Sequence, residues 1–305
     1  MKLAFCAVLF AVSTTALAQT VKLVVPFAAG GTADRTARVL ERSLTAKLPY
    51  NFVIEYRTGA GGLIAANTVA RITAKENVLL LHSTAIAINT FNPNANYDLS
   101  QDFVPVAKLG FAPMALIANP QRKLQSLKDL KGAADPMFYA AGGQGTAGHI
   151  AGELLAQALN RQLIPVWYKG ESPAVTDVLN NTVGMMIVSI SSVIGHANSG
   201  NLDFVAVTGR QRSPDLPNIA TFEEQGIKVF DRSTNWLVLL ANHSADAAVI
   251  KQIQTALSKI FADPADQALL RRAGIEPDPM PTAKVAEFLT EEVERVKPFS
   301  AKLAK

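Results

Sequence analysis

Apolar runs alternate with amphipathic helical spacings along almost the whole chain, the pattern of a mainly parallel sheet covered by helices. The first run, residues 21–27, is continuous apart from Lys22 rather than strictly alternating, as expected of a strand buried on both faces. After the Gly30-Gly31 break, Ala33, Ala37, Leu40, Leu44 and Leu48 recur at helical spacing, with Arg35, Arg38, Arg42 and Lys47 mostly off that stripe. This predicts an amphipathic helix ended by Pro49. Strands are expected over 51–56, 78–83, 104–110 and 112–119, with a helix over 63–73. A second series begins near Ser126 with a short helix. It continues as strand 137–141, helix 149–160, strand 163–169, helix 173–179 and strands 185–190 and 202–208. Strand 235–241 and helices 245–261, 264–273 and 282–296 close the chain. Val285, Phe288, Leu289 and Val296 mark the buried face of the last helix, and Thr282 is its expected N-cap. So many strands suit two sheets better than one. No Pro-rich or Gly/Ser linker separates the halves, so the strands themselves are expected to cross between domains near 111–114 and 231–236.

The amino terminus stands outside this pattern. Met1 and Lys2 give a positive start, an apolar run follows to Val12, and small residues close on Ala16-Leu17-Ala18. That is the layout of a secretory signal peptide over residues 1–18, cleaved before Gln19. The apolar run is too short for a membrane core, which needs about 20 residues. Cleavage removes Cys6, the only cysteine, so the exported chain is expected to use no disulfide, thiol nucleophile or Cys-ligated metal. The composition of the full chain, 49% hydrophobic and 18% charged, excludes a disordered chain. A net charge of +4 from 29 basic and 25 acidic residues is too small a surplus for a nucleic-acid binder.

Three glycine-rich loops punctuate the chain: Ala28-Ala29-Gly30-Gly31-Thr32, Gly59-Ala60-Gly61-Gly62 and Gly142-Gly143-Gln144-Gly145-Thr146. The first and third each follow a strand and open a helix. Such a turn directs backbone N–H groups and the positive end of a helix dipole to the carboxyl edge of a sheet, where α/β proteins bind ligands. Each is also, more simply, a tight strand-to-helix turn. Two of them in separate halves favour an anion site. The third loop contains a G-x-G-x-x-G string with Glu171 after the next strand, but Lys169 beside that acid and an exported chain both argue against a dinucleotide. No cofactor is expected. No G-x-S-x-G elbow is present, and His82, His149, His196 and His243 are too scattered for a metal site. His149 either donates to a ligand anion or caps its own turn. Asp34 stands at a helix start, where a carboxylate answers unpaired N–H groups. Arg57 either pairs with a ligand carboxylate or is a solvated strand end.

The segment Val-Lys-Leu-Val-Val-Pro-Phe-Ala-Ala-Gly-Gly-Thr-Ala-Asp at 21–34 resembles the start of the Bug-type receptors, the periplasmic solute receptors of tripartite tricarboxylate transporters. Further matches follow in order: Arg57 to Gly62, Asp102 to Val106, Gly145-Thr146 with His149 and Gly152-Glu153-Leu154, and Tyr168-Lys169-Gly170 with Pro173-Ala174 and Asp177. Ala206-Val207-Thr208, Arg212-Ser213-Pro214, Leu216-Pro217, Phe222 and Gly226 complete the series. The resemblance covers residues 20–305. It implies an α/β fold of the periplasmic binding protein type II kind: two doubly wound lobes joined by crossing strands, with a ligand cleft between them. Lobe 1 would comprise 19–113 and 236–305, and lobe 2 would comprise 114–235.

The resemblance further implies a non-enzymatic periplasmic receptor, monomeric, that captures a small organic carboxylate and delivers it to membrane permease subunits. Carried over by position, lobe 1 offers Phe27, Ala28, Ala29, Gly30, Gly31, Thr32 and Asp34, with Ser83 and Thr84. Lobe 2 offers Ala141, Gly142, Gly145, Thr146 and His149, with Tyr168, Lys169 and Gly170. Neutral donors of this kind hold a carboxylate without burying a counter-charge. Ile187-Val188-Ser189 stands where the family has Phe-Asp-Asn, so an acid is missing and Ser189 takes its place among the candidates. Ala141 replaces a Ser, Lys75-Glu76-Asn77 replaces Pro-Asp-Gly-Tyr, and the stretch 131–137 is short. These departures argue mildly against an amino-acid ligand and towards an uncharged distal end. The rival readings are a receptor that signals to a partner and a secreted hydrolase using Asp34, His149 and Ser83.

Overall fold

The computed structural model describes residues 19–134, 136–228 and 235–300. The expected signal peptide, Cys6 and most of the second expected crossing (231–234) lie outside the described residues.

Strand β1 (Gln19–Val25) emerges exposed at Gln19, Thr20 and Lys22 and is otherwise buried. Its alternate side chains feed two different cores: Val21, Leu23 and Val25 one, Val24 the other. The same split recurs in β3 (Asn77–Ser83), where Leu79 and Leu81 oppose Val78 and Leu80. A pleated strand with apolar residues at every position has to be covered on both faces, because successive side chains point opposite ways. Helix α1 (Thr32–Thr45) covers one face through Ala37, Leu40 and Leu44. It stops short of Pro49, and Leu48 closes a final turn by donating to the Leu44 carbonyl at 2.9 Å. Pro49 is thus preceded by turn rather than helix, as its ring requires.

With β2 (Tyr50–Tyr56), β4 (Phe103–Phe111), β10 (Trp236–Asn242) and the two-residue β11 (Glu276–Pro277), these strands form a six-stranded sheet in the order β11-β4-β10-β3-β1-β2. β2, β1 and β3 run parallel; β10 is antiparallel to both β3 and β4. Helices α8 (Ala247–Ala262) and α9 (Pro264–Ala273) join α1 on one face. α2 (Leu63–Ala70), α3 (Ala85–Asn89) and α10 (Thr282–Ser300) cover the other. Thr282 is the first helical residue of α10 rather than a residue before it, and its hydroxyl donates to the Val106 carbonyl at 3.4 Å.

A second sheet has the order β7-β6-β8-β5-β9, built from β5 (Met114–Ala118), β6 (Met137–Ala141), β7 (Leu163–Trp167), β8 (Met185–Ser189) and β9 (Asp203–Val207). β7, β6 and β8 are parallel, and β5 is antiparallel to β8 and β9. Helices α4 (Leu127–Gly132), α5 (Ala147–Leu159), α6 (Glu171–Leu179) and the single turn α7 (Ile190–Val193) complete it. α5 begins two residues earlier than its apolar stripe predicts, placing His149 inside the first turn.

The chain passes from the first sheet to the second at 111–114 and returns into β10. At the crossing the two segments lie side by side: Ala112 donates its N–H to the Asn235 carbonyl at 2.7 Å, and Phe111 pairs with Trp236. The architecture is thus two-lobed, as expected, with its lobes joined by paired extended strands.

Candidate functional site

Between the sheets lies a cleft walled by loops that end strands and begin helices. The first sheet contributes Phe27, Gly31 and Thr32 beyond β1, and His82 and Ser83 at the end of β3. The second contributes Gly142 after β6, Thr146 to Gly148 at the start of α5, Gly170 and Glu171 at the start of α6, and Ser189 at the end of β8. Met114, Met186, Ile187 and Leu237 give it an apolar side, and Asn235 of the crossing strand closes it.

Eight of the residues picked from sequence therefore line the cleft: Phe27, Gly31, Thr32, Ser83, Gly142, Thr146, Gly170 and Ser189. The others lie outside that lining. Asp34 is buried, its carboxylate accepting from the Gly30 N–H at 2.8 Å, Arg38 Nε at 3.0 Å and the Tyr56 hydroxyl. It locks the first glycine loop. Burial, then the bond to Asp34, raises the Tyr56 pKa from its ordinary value. Ala28 donates its N–H across the cleft rim to the Lys169 carbonyl at 3.0 Å, and Ala29 is exposed beside it. Thr84 exchanges two bonds with Trp236, at 3.1 and 3.2 Å, and so ties the end of β3 to the crossing strand. Ala141 accepts from the Tyr168 N–H at 2.9 Å, while the Tyr168 hydroxyl donates to Asp177 at 2.6 Å. Burial and that acid push the Tyr168 pKa up to about 12.

His149 Nδ1 accepts the Gly145 N–H at 3.0 Å, and its ring meets Trp167 edge-on with centroids 4.7 Å apart. The geometry is the turn cap of the two readings. Arg57 pairs with Glu55 at 2.5 Å on the surface. As for the hydrolase reading, Asp34 is tied to Gly30, His149 to Gly145, and Ser83 Oγ to the Ala85 N–H at 3.4 Å. These are three separate turns. Among the described residues no cluster of His, Cys, Asp and Glu suited to a metal occurs.

The second glycine loop, unassigned by sequence, meets the third. Gly61 has φ +60°, and a Cβ there would lie 1.8 Å from the Gln144 carbonyl oxygen. Gly143 (φ +139°) faces Gly61 in return, its own Cβ position 2.8 Å from the Gly61 Cα. Only residues without a side chain allow two lobes to touch backbone to backbone.

Two features of the cleft lie beyond the sequence candidates. His82 is fully buried, its Nδ1 accepting the Ser83 N–H at 2.9 Å, and burial pushes its pKa down to about 4. It is a neutral ring near pH 7. Glu171 is the second. One of its carboxylate oxygens accepts from the Ser189 N–H at 3.1 Å and Ser189 Oγ at 2.5 Å. The other accepts from Ser192 Oγ at 2.6 Å, Thr32 Oγ1 at 3.2 Å and the Thr32 N–H at 3.4 Å. A carboxylate thus returns to the Ser189 position, where the sequence lacks one, from a different element. The signal lay in plain view: Glu171 directly follows Tyr168-Lys169-Gly170.

A two-lobed α/β chain whose strand-to-helix loops converge on an interlobe cleft has the architecture of the periplasmic solute-binding proteins. Residues 36–304 match the Tripartite tricarboxylate transporter family receptor, and the chain belongs to that family. It is 30% identical over 285 residues to protein BugT of Bordetella pertussis, covering 91% of this chain and 87% of BugT. Identity is also 30% over 278 residues to the UPF0065 protein of the tcbD-tcbE intergenic region in Pseudomonas sp. strain P51, 89% of this chain and 82% of that one. Among solved structures, the periplasmic binding protein BugD aligns with TM-score 0.84 at 28% identity, covering 93% of this chain and 97% of its own. MatC of Rhodopseudomonas palustris with bound malate aligns with TM-score 0.84 at 25% identity over 92% of this chain and 99% of that chain. Rpa4515 of R. palustris with adipate aligns with TM-score 0.86 at 25% identity over 93% and 97%. No helix among the described residues is long and apolar enough to cross a membrane.

Proposed function

We propose that this chain is an exported receptor that encloses one small organic carboxylate between its lobes and delivers it to the membrane permease of a tripartite tricarboxylate-type transporter. The observation that carries the reading is the start of α5, where Thr146, Ala147 and Gly148 face the cleft. The first-turn N–H groups of a helix have no intrahelical acceptor, and the helix dipole favours an anion there. Thr146 Oγ1 donates to the Gly143 carbonyl at 2.7 Å and so holds the loop in place. The apolar side formed by Met114, Met186 and Leu237 suits the carbon skeleton of such a ligand. The carboxylates held by two structural neighbours, malate and adipate, agree with this class.

In this reading the leader is removed before Gln19, the lobes correspond to 19–113 with 236–305 and to 114–235, and the monomer closes by bending at the paired strands. The cleft residues hold and enclose the ligand, with no covalent step. Calorimetric titration of the chain from Gln19 onward against a carboxylate panel should give a 1:1 binder of micromolar or better affinity. If no organic acid binds and none co-purifies, the reading fails. Deleting the gene and testing growth on the bound acid checks delivery, since loss of uptake stops growth and loss of signalling alone does not.

A further inference from the structure

We propose that Glu171 is a built-in carboxylate that restricts the cleft to monocarboxylates; the proposal rests on the carboxylate reading above and names the substrate class. Two long helices, α1 and α5, begin at the cleft. At α5 the first turn faces the cavity. The start of α1 also lines it, through Gly31, Thr32 and Ala33, but there Glu171 already accepts the Thr32 N–H and the Thr32 hydroxyl. The same carboxylate gathers Ser189 and Ser192 from its own lobe. Five donors from both lobes therefore converge on one side chain of the chain itself.

The charge balance points the same way. Among the described residues lining the cavity none is Lys or Arg. His82 lines it as a neutral ring. Arg35, which is not part of the lining, donates to Ser191 Oγ at 2.8 Å and to the Gly30 carbonyl at 2.8 Å. Burial lowers the Arg35 pKa, while Glu171 and Asp34 hold it up. Arg35 thus offsets Glu171 and stands outside the cavity. A single ligand carboxylate meets the dipole end of α5. A second one meets Glu171, with no positive side chain to answer it, and two like charges a few ångströms apart in a half-buried site repel strongly. The apolar side of the cleft then receives an uncharged tail.

Calorimetric titrations of the wild-type chain, Glu171→Gln and Glu171→Ser with hexanoate, benzoate, succinate, adipate and alanine test the proposal, with melting curves to check folding. The wild type should bind a monocarboxylate at least ~10-fold more tightly than either dicarboxylate. Glu171→Ser should gain at least ~10-fold for a dicarboxylate while holding the monocarboxylate within a few-fold. Glu171→Gln, which keeps the shape, should gain in the same direction. If neither variant folds, the wild-type preference alone decides. Equal binding of both classes by all three proteins overturns the proposal and leaves the carboxylate receptor standing. Binding of alanine by the wild type that is lost in Glu171→Gln also overturns it, making Glu171 the partner of an ammonium group. Binding of none of the acids by any of the proteins overturns the receptor reading itself.

Discussion

The two helix starts at the cleft are built alike and used differently. Each follows a parallel strand and a glycine loop. Each presents a threonine: Thr32 as the first residue of α1 and Thr146 as the cap before α5. At α1 the Thr32 donors are engaged by Glu171, while at α5 the threonine hydroxyl turns back to Gly143 and no side-chain carboxylate stands on the first turn, which faces the cavity. Equivalent folds do not guarantee equivalent sites. What decides is a single acid delivered by the neighbouring helix α6.

The strongest way to break the pairing of the two ends is to force the lobes apart. Gly61→Val places a side chain where the Gln144 carbonyl sits and a branched residue at positive φ. Ligand affinity should fall by at least ~100-fold, since the clash with Gln144 arises only in the closed form. Small-angle scattering with saturating ligand should show that the variant stays more extended than wild type.

Next in size is His82, which sits at the end of β3 between the two helix starts. Its folded pKa of about 4 lies below the ordinary 6.5, so the unfolded chain binds the proton more readily. Its contribution is therefore fully present above pH 6.5 and is lost as pH falls towards 4, amounting to about 3 kcal/mol over that window. Denaturant melts of wild type and His82→Gln should show the wild type losing more stability between those pH values.

Thr146→Val and Thr32→Val sharpen the comparison directly. The first loosens the loop that aims the α5 start and should weaken monocarboxylate binding by roughly 5- to 10-fold, the worth of one hydrogen bond. The second should weaken that affinity by less, roughly 2- to 4-fold, because its hydroxyl bonds Glu171 across the cleft and so supports closure without holding the ligand. Smallest is Tyr56→Phe, which removes one of three donors to Asp34 and should lower stability by about 1 kcal/mol with little effect on binding.

Continuous apolar runs revealed β1, β3 and β10, and the paired crossing strands follow from the missing linker. Both glycine loops that open α1 and α5 were legible as strand-to-helix turns. Glu171 directly follows the Tyr168-Lys169-Gly170 candidates, but its partners Thr32, Ser189 and Ser192 are brought to it by the tertiary fold, which no local spacing encodes. Asp34 and His149 could be read only as alternatives, since a carboxylate or imidazole at a helix start looks the same whether it caps the turn or meets a ligand. Short elements such as α3, α7 and β11 carry too few residues to show a period.

The most direct measurement is an amide NMR titration of the ¹⁵N-labelled chain with hexanoate and benzoate. The amides of Ala147 and Gly148 should shift and saturate together with the calorimetric isotherm, while that of Ser189, held by Glu171 within its own lobe, stays nearly still. A saturable shift at Ser189 with Ala147 and Gly148 unmoved would contradict the account.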